Sequence, residues 1–236
     1  WIGADAPFFS DALFARADAL FNVAEEAVAN EPKILERVRI ARLPVDYCIM
    51  ERTRSMSSDA FVLDHKKFTV SINREFEKRA KRFFDVAERN GMIRIRENGG
   101  ELAEYKKEIY TFIKPRPHPP VEAPKTTEKL APGIAYKFYG ETLDHLPDFN
   151  KLTPIANGTA ESISLQPAEP YNLNAFALLF EGYIDIPRDG MYAFTVASND
   201  GSRLYIGDKR VVNNDGLHKE QTVTGFIGLR KGKHPI

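Results

Sequence analysis

Two short stretches in the last forty residues hold the most concentrated oxygen chemistry in the chain. One is Ser198-Asn199-Asp200-Gly201-Ser202 and the other is Asn213-Asn214-Asp215-Gly216-Leu217-His218. Carboxylate, amide and hydroxyl oxygens can ligate a hard cation or hydrogen-bond a polar ligand. The same residue types are also the usual turn formers, because Asn and Asp bond back to nearby backbone and Gly tolerates positive φ. Both readings stand at this level. Six tyrosines accompany these loops: Tyr136, Tyr139, Tyr171, Tyr183, Tyr192 and Tyr205. Most suit a strand face or core, and Tyr171, in Glu169-Pro-Tyr-Asn-Leu-Asn, is the one expected to be exposed.

No catalytic constellation stands beside them. The sequence has no Gly-x-Ser-x-Gly elbow, no phosphate loop and no His-Glu-x-x-His helix. Its five histidines are scattered, and its one cysteine, Cys48, excludes an internal disulfide and a cysteine-based zinc site. The basic cluster Lys78-Arg79-Ala80-Lys81-Arg82 has Glu75, Glu77, Asp85 and Glu88 within helical reach, so it reads as a solvated, ion-paired face. The whole chain has 33 basic and 33 acidic residues, which argues against a nucleic-acid partner. No apolar run is long enough to span a bilayer.

The 236 residues that must position these loops fall into two halves of different character. Residues 1–113 have helical periodicity. Leu13, Ala17, Leu20, Ala24 and Ala27 form one stripe, with Ser10 as N-cap and Asp11 in the first turn. A second helix begins at Pro32 and runs through Leu35, Val38, Ala41 and Val45 to Ile49, with a kink expected at Pro44. A third follows Asn73, with Phe76, Ala80, Phe83 and Ala87 on one face, and ends at Asn90-Gly91. A fourth covers about 101–113 through Leu102, Tyr105, Ile109 and Phe112. Residues 114–132 contain six prolines and read as a semi-rigid linker, since proline fixes φ and donates to no ladder. From residue 133 the pattern is strand, turn, strand: 133–139, a long run 176–186, 191–197, 203–209, 210–212 and 222–229. Short strands with regular turns predict a sandwich or barrel. The predicted fold is therefore multidomain α plus β: a helical domain of about four helices (1–113), a proline-rich linker (114–132) and an antiparallel β-sandwich (133–236).

The strand-rich half resembles the PA14 family. The resemblance is carried by EGYIDIPRDGMYAFTVASNDGSRLYIGD at 181–208, VVNNDGLH at 211–218, GLRKGKHPI at 228–236 and PGIAYKFY at 132–139. It implies a β-sandwich module, commonly a carbohydrate-binding unit, incomplete at its C-terminus here. In fungal adhesins of the family, adjacent acidic residues joined by a cis peptide bind calcium, and calcium holds sugar hydroxyls. The corresponding positions here are Asn199 and Asp200, one charge fewer. The resemblance thus implies calcium as a possible cofactor, with Asn199, Asp200 and Asp215 as ligands. Asn199, Asp200, Ser202, Asn214, Asp215, His218 and Tyr171 are the expected glycan contacts.

Residues 8–112 resemble, through ERVRIARLPVDY (36–47) and AERNGMIRIRE (87–97), the helical region after the barrel of bacterial α-glucuronidase-like proteins. This implies a non-catalytic piece of a glycoside-hydrolase-like protein, periplasmic, surface-bound or secreted, whose catalytic domain lies upstream. Its expected partner is a glycan or polysaccharide. The alternative is a structural module that shapes the parent's active-site rim or an oligomer interface.

Overall fold

The computed structural model describes residues 10–56, 59–96, 99–125, 130–140, 142–171 and 173–236. Part of the proline-rich stretch (126–129) and Asn172 of the Tyr171 loop therefore lie outside the described residues. The chain forms two compact units, Trp1–Val62 with Val70–Arg116, and Leu63–Thr69 with Pro117–Ile236. No described helix is long and apolar enough to cross a membrane.

The first unit contains four α-helices among the described residues. Helix α1 spans Asp11–Ala27, and the Ser10 side chain caps it by accepting from the Leu13 amide at 3.2 Å. Helix α2 spans Pro32–Met56 and continues through Pro44, so that proline does not end it. The apolar stripe stops near Met50, but Glu51 and Arg54 pair at 2.8 Å and carry the helix one turn further. After strands β1 (Phe61–Asp64) and β2 (Thr69–Ile72), Asn73 caps helix α3 (Arg74–Arg89) by accepting from the Phe76 amide at 2.9 Å. Strands β3 (Arg94–Arg96) and β4 (Gly99–Glu101) pair, and helix α4 (Leu102–Ile113) follows. The four helices match the expectation, and the short strands are an addition to it. They are only three or four residues long, too short for a period-two signal to emerge.

Helix α3 is the centre of this unit. Phe76, Ala80, Phe83 and Ala87 are buried as their spacing predicts, and Phe84 and Val86 widen the face. They meet Leu43 and Met50 of α2 and Leu102, Tyr105 and Ile109 of α4. Helix α1 is held differently, by charge. Asp18 bonds Arg79 at 2.8 Å and also Arg42; Glu25 bonds Arg42 at 2.7 Å and Arg39 at 3.2 Å. Asp46, fully buried on α2, bonds Arg79 at 2.6 Å and Arg82 at 2.7 Å. The basic cluster of α3 is thus split. Lys78 and Lys81 pair with Glu75 and Asp85 on the open face, whereas Arg79 and Arg82 turn into the seam. Hydrogen bonds from Arg79 hold the Asp18 carboxyl down at about 2.

Strand β5 (Arg116–Pro117) leads to the second unit, which is antiparallel β. Its strands are β6 (Ile134–Tyr139), β7 (Ala156–Ala160), β8 (Ala177–Glu181), β9 (Tyr183–Ile186), β10 (Gly190–Ser198), β11 (Ser202–Ile206), β12 (Lys209–Asn214), β13 (Gln221–Leu229) and β14 (Gly232–Pro235). Strand β6 lies between β7 and β8; β9 pairs with β14, β10 with β13, and β11 with β12. The long run predicted over 176–186 is two strands divided at Gly182, whose N–H and C=O both bond Ile236. Tyr192, Phe194 and Val196 share the half-buried face of β10, and Ile186, Ile206, Ile227 and Leu229 form a core beneath. Within the proline-rich stretch, Val121 is bridged to Leu229: its N–H bonds the Gly228 carbonyl at 2.9 Å and its C=O accepts from Arg230 at 3.0 Å.

Candidate functional site

The registers of the two longest hairpins bring the oxygen-rich loops together. Ser198 ends β10 opposite Gln221, and Ser202 begins β11 opposite Asn214. Segments 198–202 and 214–221 therefore leave the unit at the same end. They are joined directly, with the Asp200 amide donating to the His218 carbonyl at 3.2 Å and the His218 amide to Asp200 Oδ1 at 3.4 Å.

Ser198 is the hub. Its hydroxyl donates to the Asp200 carbonyl at 2.8 Å, lies 2.7 Å from the Ser202 hydroxyl, and accepts from Asn214 Nδ2 at 2.8 Å. Asn214 is buried, and its other amide atom accepts from Gln221 at 2.6 Å. Asp215 is nearly as enclosed. One carboxylate oxygen accepts from the Leu146 amide at 2.7 Å; the other is paired with Arg203 and lies 3.7 Å from His145 Nδ1. Burial pushes the Asp215 carboxyl up, but the Leu146 amide and Arg203 outweigh it and leave it below the usual carboxylate range. Asp215 thus ties the β6–β7 connection to the second loop.

His218 is half-exposed, with Nε2 3.1 Å from the Asn214 carbonyl and Nδ1 2.9 Å from the Lys219 carbonyl. Only the imidazolium can donate to both. These two carbonyls, aided by the Asp200 carboxylate, raise the His218 pKa above its ordinary value.

The predicted contacts therefore divide. Asn199 and Asp200 stand exposed at the tip, and Asp200 adopts the left-handed region at φ 87°. Asn214 is an internal strut, buried and with its amide nitrogen and oxygen bonded to Ser198 and Gln221. Ser202 bonds Ser198 within the first loop, and Asp215 bonds Arg203 of β11 and Leu146 of the β6–β7 connection. The resemblance implied a cis peptide between Asn199 and Asp200, but the described residues contain none. Tyr171 is not gathered with the loops. It ends a short 3-10 turn (Gln166–Tyr171), and its ring is stacked on Phe138 at 4.4 Å between centroids. Ser198 stands in the first loop but not among the expected contacts, and three further partners have no mark in the sequence: Arg203, Gln221 and Leu146. Arg203 and Gln221 look like ordinary strand residues, and Leu146 reaches Asp215 from sixty-nine positions away.

These donors do not make a calcium cage. Calcium needs six to eight oxygens with uncancelled negative charge. Both Asp215 oxygens already face N–H groups, one of them on a guanidinium, and an Asp200 oxygen faces the His218 amide. Among the described residues no cluster of three or more His, Cys, Asp or Glu could hold a metal ion.

The family model described as PA14 domain matches residues 130–236. No curated protein and no solved structure matches the chain. Nothing in these comparisons supports the likeness of residues 8–112 to α-glucuronidase-like proteins. The antiparallel strand plan, the paired loops at one end and the family match agree: residues 130–236 of this chain are a PA14 domain.

Proposed function

We propose that the PA14 domain is a non-catalytic carbohydrate-binding module, acting beside a glycoside-hydrolase-like catalytic domain of a secreted bacterial protein. The observation that carries the binding role is the Asn199–Asp200 tip, exposed yet held from beneath by Ser198, Asn214 and His218. A sugar offers neighbouring hydroxyls that donate to a carboxylate and accept from an amide, and this tip presents both groups. A fixed tip loses little freedom when a ligand binds. The catalytic setting rests on the sequence likeness of residues 8–112. In that setting the module raises the local concentration of substrate at the catalytic domain.

Glycan-array binding by the whole chain, with and without EDTA, tests this. Binding that persists in EDTA is expected, because both Asp215 oxygens and Asp200 Oδ1 already accept from N–H groups. Asn199→Ala and Asp200→Asn should weaken it while leaving the circular dichroism spectrum unchanged; Asn retains the left-handed φ that Ala would resist. Absence of binding to any glycan would remove the reading.

A structural role is the second reading. It is favoured by the Leu146–Asp215–Arg203 clamp and buried Asn214, which turn the Asp215 and Asn214 side chains inward. Under it, both substitutions would leave glycan binding at background and alter only the assembly of the parent.

A further inference from the structure

Helix α1 has two apolar faces, and only one is used. The inner face sets Phe14 and Phe21 beside Asp18 and Glu25; Phe14 is buried and the Arg42 guanidinium lies 5.9 Å from the Phe21 ring. The outer face runs Leu13, Arg16, Leu20, Val23 and Ala27, at steps of three and four. Leu13 is 46% exposed, Leu20 61% and Val23 63%. Scattered exposed leucines are ordinary. Three large apolar side chains along one seam are different, because a three-four repeat is the stripe by which helices pair. Ala12 and Ala19, also exposed, flank the seam and leave room for a second helix backbone.

We propose that this face docks against the same face of a second copy of the chain, antiparallel about a two-fold axis. The charges select both the occupant and the direction. Arg16 lies in the seam and Glu26 on its flank, both exposed, and no ion pair among the described residues includes either. They are ten residues apart, about 15 Å along the helix axis. A parallel copy would set Arg16 against Arg16 and Glu26 against Glu26. A two-fold axis at the level of Phe21 instead brings each Arg16 to Glu26 of the second copy, twice. The same register puts Ala19 opposite Val23 and Ala15 opposite Ala27. An isologous interface demands this kind of self-complementarity. One helix pair buries less than a standard interface, so the dimer is weak.

Sedimentation velocity on the whole chain, from about 1 μM to about 1 mM, tests the proposal. Wild type is expected to shift from monomer to dimer across that range. Leu20→Glu should stay monomeric with an unchanged circular dichroism spectrum, since Leu20 is outside the core. Arg16→Glu alone and Glu26→Arg alone should each weaken the dimer at least about tenfold, by placing like charges together. An equimolar mixture of these two variants should recover wild-type affinity, because the mixed pair restores both contacts. A chain monomeric throughout, a dimer indifferent to Leu20→Glu, or a mixture no tighter than either variant would overturn it.

Discussion

Arg203 and Asp215 form an ion pair within the β11–β12 hairpin and its following loop, while the other Asp215 oxygen takes the Leu146 amide. One carboxylate thereby fixes the hairpin to the β6–β7 connection. Asp215→Ala leaves a half-buried amide without its acceptor and a guanidinium without its counter-charge. The expected loss is about 1–3 kcal/mol, read as a lower denaturant midpoint with unchanged slope. Because folding lowers this carboxyl, its contribution is present above the unfolded carboxylate pKa and is lost as pH falls through the folded value. Asp215→Asn should therefore flatten the acid limb of the stability profile.

His218 responds with the opposite sign. Its pKa is raised, so its contribution is complete below the unfolded value of 6.5 and is lost as pH rises through the folded one. The neutral ring can donate to only one of the two carbonyls at Asn214 and Lys219. The Asp200 amide, which donates to the His218 carbonyl, reports on the loop. Its hydrogen-exchange protection factor, corrected for intrinsic rate, should be higher at pH 5.5 than at pH 8. A His218→Gln variant should show the same protection at both.

What the sequence makes visible follows from how local each feature is. The α3 core face is legible because Phe76, Ala80, Phe83 and Ala87 repeat at helical spacing and one element decides their fate. Whereas the division of 176–186 at Gly182 is set by the distant Ile236, the hairpins of 190–229 are legible because Pro, Asn, Asp and Gly mark their turns. Asn199 and Asp200 are legible as an exposed tip for the same reason. Asn214 is not legible as a buried strut, since its partners Ser198 and Gln221 belong to β10 and β13. The sorting of Arg79 from Lys78 is likewise set by Asp18 on another helix, sixty-one residues away. Charge composition cannot show which cations of one cluster point inward.

That sorting makes the seam of the first unit testable. Asp46 is buried between Arg79 and Arg82, with Arg42 Nε at 3.6 Å. Asp46→Ala takes from Arg82 its only carboxylate partner among the described residues, while Arg79 keeps Asp18 and Arg42 keeps Asp18 and Glu25, and the expected cost is about 1–3 kcal/mol. Replacing Lys78, which pairs with Glu75 in the open, should move stability by less than about 1 kcal/mol. Urea unfolding of both variants gives the comparison. Asp18 adds the pH dependence. Held at about 2 against an ordinary 3.8, it stabilises the fold fully above the ordinary value and progressively less as pH falls towards 2. Asp18→Asn should remove that acid dependence.

Gly225 gives the sharpest steric prediction. A Cβ placed there would lie 1.9 Å from the carbonyl oxygen of Val211, on the backbone of β12, which cannot swing aside as a side chain would. Strands β12 and β13 therefore approach as closely as they do only because residue 225 lacks a side chain. Gly225→Ala must push the strands apart, at the expense of core contacts made by Ile227 and Val211. Overpacking of this kind costs about 1–3 kcal/mol where neighbours can yield, and a rigid backbone carbonyl yields less. The measured melting temperature should fall steeply and the yield of folded protein with it. Gly207→Ala is the control: its Cβ would meet nothing within 4 Å, and only its left-handed φ of 58° resists the change. Its loss should stay near 1–2 kcal/mol, the approximate cost of a left-handed residue with a Cβ. Comparable melting temperatures for the two variants would show that the strands are not held apart by that carbonyl.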